Sequence, residues 1–216
     1  MNSAGQIRQL RFGVQFPTFG IPTLAGLALL CALPCAAQNT LTIYGGYRGG
    51  GSFQESVSPN ASLELKGSGA GSISLDWGLD SARQVQLFAS YQSTEFPAPA
   101  AGAPAIPLTV SYLHLGGTNF FEGTVGRGPY VVGGLGITRL APGLSGLSDE
   151  IRPSMNVGLG YQLPLAQSLA LRFEVRGYFT LINSSSTLFC SGGCVLSIKG
   201  DTLTQAEAMI GLSYSF

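Results

Sequence analysis

The stretch that most constrains this chain is its last one, Leu203 to Phe216, reading LTQAEAMIGLSYSF. From Ala206 onward every second residue is apolar or aromatic: Ala206, Ala208, Ile210, Leu212, Tyr214 and Phe216. The other phase, Glu207, Met209, Gly211, Ser213 and Ser215, is mostly small or polar. A period of two describes a strand with one apolar and one polar face. Ending on so regular a strand, with an aromatic as the last residue, is unusual, because untied termini fray.

Composition favours more of the same. Charged residues make up only 10% of the 216, yet no apolar run reaches the ~18 residues that a membrane-spanning helix needs. The 31 glycines disfavour helices generally. A formal net charge of zero gives no basic surface for nucleic acid.

The N-terminus has the form of a cleavable signal peptide over residues 1–37. Arg8 and Arg11 supply a positive start, Ile21 to Leu33 an apolar core, and Cys35-Ala36-Ala37 small residues before a cut between Ala37 and Gln38. A lipoprotein signal would need a small residue before Cys31 or Cys35, where Leu30 and Pro34 stand. The remaining 38–216 carry nine basic against eleven acidic groups and two cysteines, Cys190 and Cys194. An even pair in an exported chain points to a disulfide, here a small clip at a loop tip.

Eight strands are predicted. The first covers Thr40 to Gly51, with Leu41, Ile43 and Tyr47 in one phase and Arg48 in the other. The second is clearest over Ser72 to Leu79, and the third runs from Arg83 to about Glu95, where Phe88 interrupts the polar phase. The fourth covers Leu108 to about Gly116; Val110 and Tyr112 are in phase, but Leu113 and Leu115 compete with His114, so its register stays open. Pro129 to Leu140, Ser154 to Leu163, Leu169 to Leu181 and the closing stretch complete the set. The connections alternate between short (near 80, 117–128, 164–168) and long (52–62, 96–107, 141–152, 183–201). Short turns at one end and long loops at the other suit an all-β, eight-stranded antiparallel up-and-down transmembrane β-barrel, with four long extracellular loops.

Periodicity alone does not separate a soluble β protein from a membrane barrel, because only the facing is reversed. Three features favour apolar outside. The polar phase is rich in Gly and Ser rather than Lys and Glu. Aromatics stand at strand ends (Tyr112, Tyr130, Tyr161, Phe179, Tyr214, Phe216), as an interfacial girdle requires. The polar phase of the seventh strand is Arg172-Glu174-Arg176, and Glu207 lies on the neighbouring strand. These four, with Arg48, Asp76 and Arg139, are expected to pair across the interior, Glu207 serving as counter-charge to Arg172 or Arg176. Eight strands leave room for side chains and little else, so a packed, closed lumen is expected over an open pore.

On these residues, with YLHLGGTNFFEG (112–123), GPYVVGGLGITRL (128–140), LRFEVRGY (171–178) and the terminal LSYSF, the chain resembles the outer-membrane β-barrel domain superfamily of OmpA/OmpX-like proteins. That resemblance implies a cell outer membrane location in a Gram-negative-type bacterium. It also implies outer-membrane lipid and lipopolysaccharide as surroundings, and a C-terminal signal (Leu212, Tyr214, Phe216) read by the barrel-assembly machinery. It implies no extracellular partner in particular. A structural or surface role is expected, with a small-solute pore as the alternative.

Catalysis is not expected. Lipid A-modifying barrel enzymes pair His with Ser, but Ser111, three positions before the sole histidine, His114, lies on the opposite strand face. His114 is expected near the membrane interface instead. Cys190 and Cys194 have no further Cys or His beside them for zinc, and the glycine clusters lack a phosphate loop's Lys-Ser/Thr. No cofactor or metal is therefore expected.

Overall fold

A computed structural model describes residues 39–54, 62–97, 104–144, 148–182, 187–190, 194–197 and 202–216. The proposed leader, with its cleavage position Ala37–Gln38, lies outside the described residues. The strands are β1 (Thr40–Gly50), β2 (Ser52–Gln54), β3 (Ser62–Glu64), β4 (Ser68–Gly78), β5 (Arg83–Phe96), β6 (Ile106–Phe120), β7 (Gly128–Pro142), β8 (Glu150–Pro164), β9 (Leu169–Leu181), β10 (Thr187–Cys190), β11 (Cys194–Ser197) and β12 (Thr202–Ser215). Eight of them form one closed barrel in the order β1-β12-β9-β8-β7-β6-β5-β4, with β4 pairing back to β1. Every neighbouring pair is antiparallel.

Closure leaves no sheet edge, which is what a membrane requires of strands. The seam is made by the chain's first and last strands, with Ile43 opposite Leu212 and Arg48 opposite Glu207. Beyond the ladder, Asn39 N donates to Phe216 O at 3.2 Å and Phe216 N donates to Asn39 O at 2.9 Å. The terminal strand is therefore held to its last residue.

The exterior is apolar. Ile43, Leu115, Leu135, Leu159, Val175 and Leu212 each expose about half or more of their surface. A soluble protein does not display so continuous an apolar surface, whereas lipid does not penalise it. The polar phase faces the lumen. The fold is thus a transmembrane barrel, with short turns and both barrel termini at one end and the long connections at the other; in such barrels the turn end lies in the periplasm.

Several boundaries and faces differ from the sequence expectation. β6 extends to Phe120 and shortens the following turn to 121–127, while β4 begins at Ser68. Two supposed loops contain short hairpins, β2–β3 and β10–β11. In the second, Cys190 stands directly opposite Cys194; the proposed disulfide concerns side chains outside the described set. Tyr112 and Tyr130 do not belong to an outer girdle: they are 2% and 0% exposed, inside the lumen. Their hydroxyls explain the reversal, since each finds an acceptor there, Gln205 Oε1 at 2.8 Å for Tyr112 and Glu174 Oε2 at 2.7 Å for Tyr130. Tyr161, Tyr214 and Phe216 do face outward.

The turn joining β4 to β5 is organised by Asp80. Its Oδ1 accepts the backbone amides of Ala82 (2.9 Å) and Arg83 (2.8 Å), while Oδ2 takes Arg83 Nε at 2.7 Å. The Arg83 side chain first, then the Ala82 amide, hold the Asp80 carboxyl below its usual range.

The opposed faces make a sharp prediction on β1. A Cβ on Gly45 would meet nothing within 4 Å, whereas one on Gly46 would lie 2.5 Å from Ala208 O and 2.8 Å from Met209 Cβ. Gly45→Ala should leave the urea-unfolding free energy of the vesicle-inserted barrel nearly unchanged. Gly46→Ala should lower it by about 1–3 kcal/mol, the usual cost of overpacking.

Candidate functional site

Among the described residues three arginines and three carboxylates are essentially inaccessible in the lumen, Arg48, Arg172 and Arg176 with Asp76, Glu174 and Glu207; a partly exposed pair, Arg152 and Glu150 at 3.0 Å, stands in the inward phase of β8 at the loop end. The inaccessible residues lie on four strands, in the inward phase that the period of two dictates. The charges balance, and each cation meets one carboxylate.

Nearest the turn end, Arg172 Nη1 lies 3.1 Å from Asp76 Oδ2 and 3.1 Å from the Tyr44 hydroxyl. Its Nε donates to Gln162 Oε1 at 2.8 Å and its Nη2 to Gln84 Oε1 at 3.3 Å. Asp76 is completed by Ser74 Oγ (2.9 Å) and Gln86 Nε2 (2.8 Å). In the next layer Arg176 Nε donates to Glu174 Oε1 at 2.7 Å, and the other carboxylate oxygen receives the Tyr130 hydroxyl. Farther toward the loop end, Arg48 Nε and Nη2 both reach Glu207 Oε2, at 3.0 and 2.7 Å, and Nη2 also donates to Ser90 Oγ. Tyr178 donates to the same carboxylate oxygen at 2.6 Å.

Aromatic rings fill the space between the ions. The Arg48 guanidinium lies 4.9 Å from the Tyr112 ring centre and 4.7 Å from that of Tyr178. Arg176 lies 3.8 Å from the ring centre of Phe88. Phe88, the residue that interrupted the polar phase of its strand, is thus a lumenal platform beneath a cation. Arg48 Nη1 makes no hydrogen bond.

Glycines make the room. Lumenal Gly116 and Gly134 are paired neighbours on β6 and β7, flanked by Gln86 on β5 and Asn156 on β8. Arg176 crosses from β9 to bond both flanking residues, Gln86 Oε1 at 3.1 Å and Asn156 Oδ1 at 3.4 Å. At Gly116 a Cβ would collide with the carbonyl of Gly133.

The expected network is therefore brought together with two changes. Glu207 takes Arg48, its partner across the β1–β12 seam, rather than Arg172 or Arg176. Arg139 is not lumenal. It faces outward near the loop end and pairs with Asp149 at 2.5 Å, both side chains about half exposed. Odd-numbered residues of β7 face out, and the phase set by Tyr130 and Val132 inside carries Arg139 with them.

His114 is also placed differently from expectation, 1% exposed within the lumen rather than at the interface. Its Nε2 is 2.8 Å from Ser154 Oγ and its Nδ1 is 2.7 Å from Asn156 Nδ2. Sequence reasoning missed this Ser-His-Asn cluster, because Ser154 lies forty residues away and two strands over. With Oδ1 turned to Arg176, Asn156 offers Nδ2 to the ring, so Nδ1 accepts and the ring proton sits on Nε2, donating to Ser154. That tautomer cannot take a proton from the serine hydroxyl.

Toward the loop end apolar side chains join the lumenal filling, beside buried Gln92, Thr94 and Gln205. Phe96, Ile106, Leu108, Leu140, Ile182 and Leu203 are buried there. At the turn end Phe120, Tyr130 and Val132 pack together.

No family model and no curated protein matches the chain. Among solved structures, Neisserial surface protein A is similar with a TM-score of 0.53 and 14% identity, over 82% of this chain and 97% of that one. OprG of Pseudomonas aeruginosa gives 0.49 at 12% identity, over 83% and 97%. The attachment invasion locus protein of Yersinia pestis gives 0.45 at 13%, over 83% and 99%. Of these three, the first has a TM-score above 0.5, and at 14% identity what it supports is the barrel fold alone.

The network predicts its own energetics. Arg48→Met should strand Glu207 in the lumen and cost about 3–5 kcal/mol of unfolding free energy. Arg48→Met combined with Glu207→Met should lie closer to the wild type than either single variant; a strictly additive double would contradict the pairing.

Proposed function

We propose that this protein is a non-enzymatic integral protein of the outer membrane, with a surface or structural role and a closed lumen. The observation that carries this reading is the set of three fully buried ion pairs, Arg172–Asp76, Arg176–Glu174 and Arg48–Glu207. A conducting pore keeps its charges solvated and mobile, whereas these are desolvated, lie against aromatic rings and share the lumen with buried apolar side chains at the loop end. Contact with other cells or molecules falls to the four long connections. At the loop end Lys66 and Arg139 stand outward, each beside a carboxylate, and suit the phosphates of lipopolysaccharide. Leu212, Tyr214 and Phe216, on the lipid-facing side of the seam strand, are the proposed signal for the barrel-assembly machinery.

Membrane fractionation with a heat-dependent gel shift tests the location: the chain should sediment with outer membranes and migrate faster unheated, and recovery in the soluble periplasm would defeat the reading. In planar bilayers the purified barrel should show no stable openings; steady conductance altered by Arg172→Gln or Arg176→Gln would favour the small-solute pore. His114→Ala should leave the lipid A acylation pattern of cells unchanged, and a changed pattern would make the Ser154–His114 pair enzymatic.

A further inference from the structure

The wall of the barrel carries a depression on its lipid side that no lumenal demand explains. Across four neighbouring strands the outward residues in one row are Val85, Gly117, Gly133 and Val157, each paired with the next. The paired glycines form a floor two strands wide between two valine walls. With Leu79 and Val131 they bound a cavity of about 410 Å³ that opens outward. At the inward glycines of the same block an added Cβ would meet backbone, the Gly133 carbonyl for Gly116 and the Leu115 carbonyl for Gly134. Gly133 is not so crowded: its φ is not positive, and the nearest atom to an added Cβ would be Asn156 O at an ordinary 3.4 Å. Its missing side chain matters only outside the barrel.

What would fill the depression is indicated by its surroundings. One register step toward the turn end, about 7 Å along the strands, the outward row begins with Arg83 and Asn119. Arg83 is 62% exposed in its side chain and is paired with Asp80, which engages its Nε and Nη2 through a single oxygen. A cation and an amide donor therefore stand at the rim of an apolar recess, on the side where the turns leave the membrane. That is the vertical order of a glycerophospholipid: phosphate at the interface, acyl chain below it.

We propose that this recess is a binding site for one glycerophospholipid of the periplasmic leaflet, with an acyl chain on Gly117 and Gly133 and the phosphate on Arg83 and Asn119. The site rests on the transmembrane reading of the barrel but not on the state of its lumen. It is separate from the outward Lys66 and Arg139 at the opposite end.

Native mass spectrometry of the folded protein, released from detergent containing phosphatidylglycerol, diacylglycerol or lipopolysaccharide, tests it. One phosphatidylglycerol should be retained in preference to diacylglycerol. Gly133→Val, which fills the floor, should weaken retention at least tenfold, and Val157→Phe provides a second occlusion should the first fail to fold. Gly45→Val, on an outward glycine with open space around it, should bind like the wild type. Arg83→Gln should reduce phosphatidylglycerol to the level of diacylglycerol. Equal retention by Gly133→Val and Gly45→Val, no preference for phosphatidylglycerol over diacylglycerol, or preferential retention of lipopolysaccharide would each overturn the site. A barrel that fractionates with membranes yet holds no phosphatidylglycerol loses this site only; a chain found in the soluble fraction loses the membrane reading itself.

Discussion

The interior of an eight-stranded barrel is wide enough for side chains and too narrow for bulk water, and the rest of the structure follows from that limit. With lipid outside, apolar residues take the outer phase and the polar phase is enclosed without solvent. Each buried cation must then find a carboxylate, and each carboxylate must have its remaining lone pairs satisfied, because a stranded charge is far more costly than a pair. The lumen meets this with three ion pairs, tyrosine and glutamine side chains that complete them, and rings that occupy the volume between. Glu207 shows the density required: Arg48 Nε, Arg48 Nη2 and the Tyr178 hydroxyl all converge on one oxygen, while Ser72 approaches the other at 3.5 Å.

How much of this was legible in the sequence depended on how cleanly each strand separates its faces. β9 was legible to the residue, because Leu171, Phe173 and Val175 alternate with Arg172, Glu174 and Arg176. The same separation exposed the arginines as lumenal. In β6 and β7 it failed, since a closed lumen needs apolar and aromatic filling, and Val110, Tyr112, Tyr130 and Val132 are as greasy as the residues facing lipid. With both faces apolar a strand's phase is invisible to periodicity, and Arg139 and His114 were misplaced for that one reason.

Partner choice within the network was less legible than membership. Glu207 has two cross-strand neighbours, Arg48 on β1 and Arg176 on β9. Sequence places both within reach. The choice is made by Arg176 leaning toward the turn end to Glu174 and out to Gln86 and Asn156, which leaves Arg48 as the cation at the seam. The closing strand is therefore tied to the opening one by charge as well as by its ladder, and Phe216 is held by backbone bonds to Asn39 on the same seam.

Glycine distribution distinguishes what the lumen demands from what it does not. Gly46, Gly116, Gly136 and Gly158 face inward, where an added Cβ would strike neighbouring backbone. Gly117 and Gly133 face the other way, in the same block of wall, and no lumenal contact accounts for Gly133. At this block the barrel is one backbone thick, with close backbone contacts on its inner side and an apolar recess on its outer one. Inner packing alone would permit valine at Gly133, the commoner choice for a lipid-facing strand position. The residue there is small although the inside does not require it, so the reason for it has to come from the membrane side.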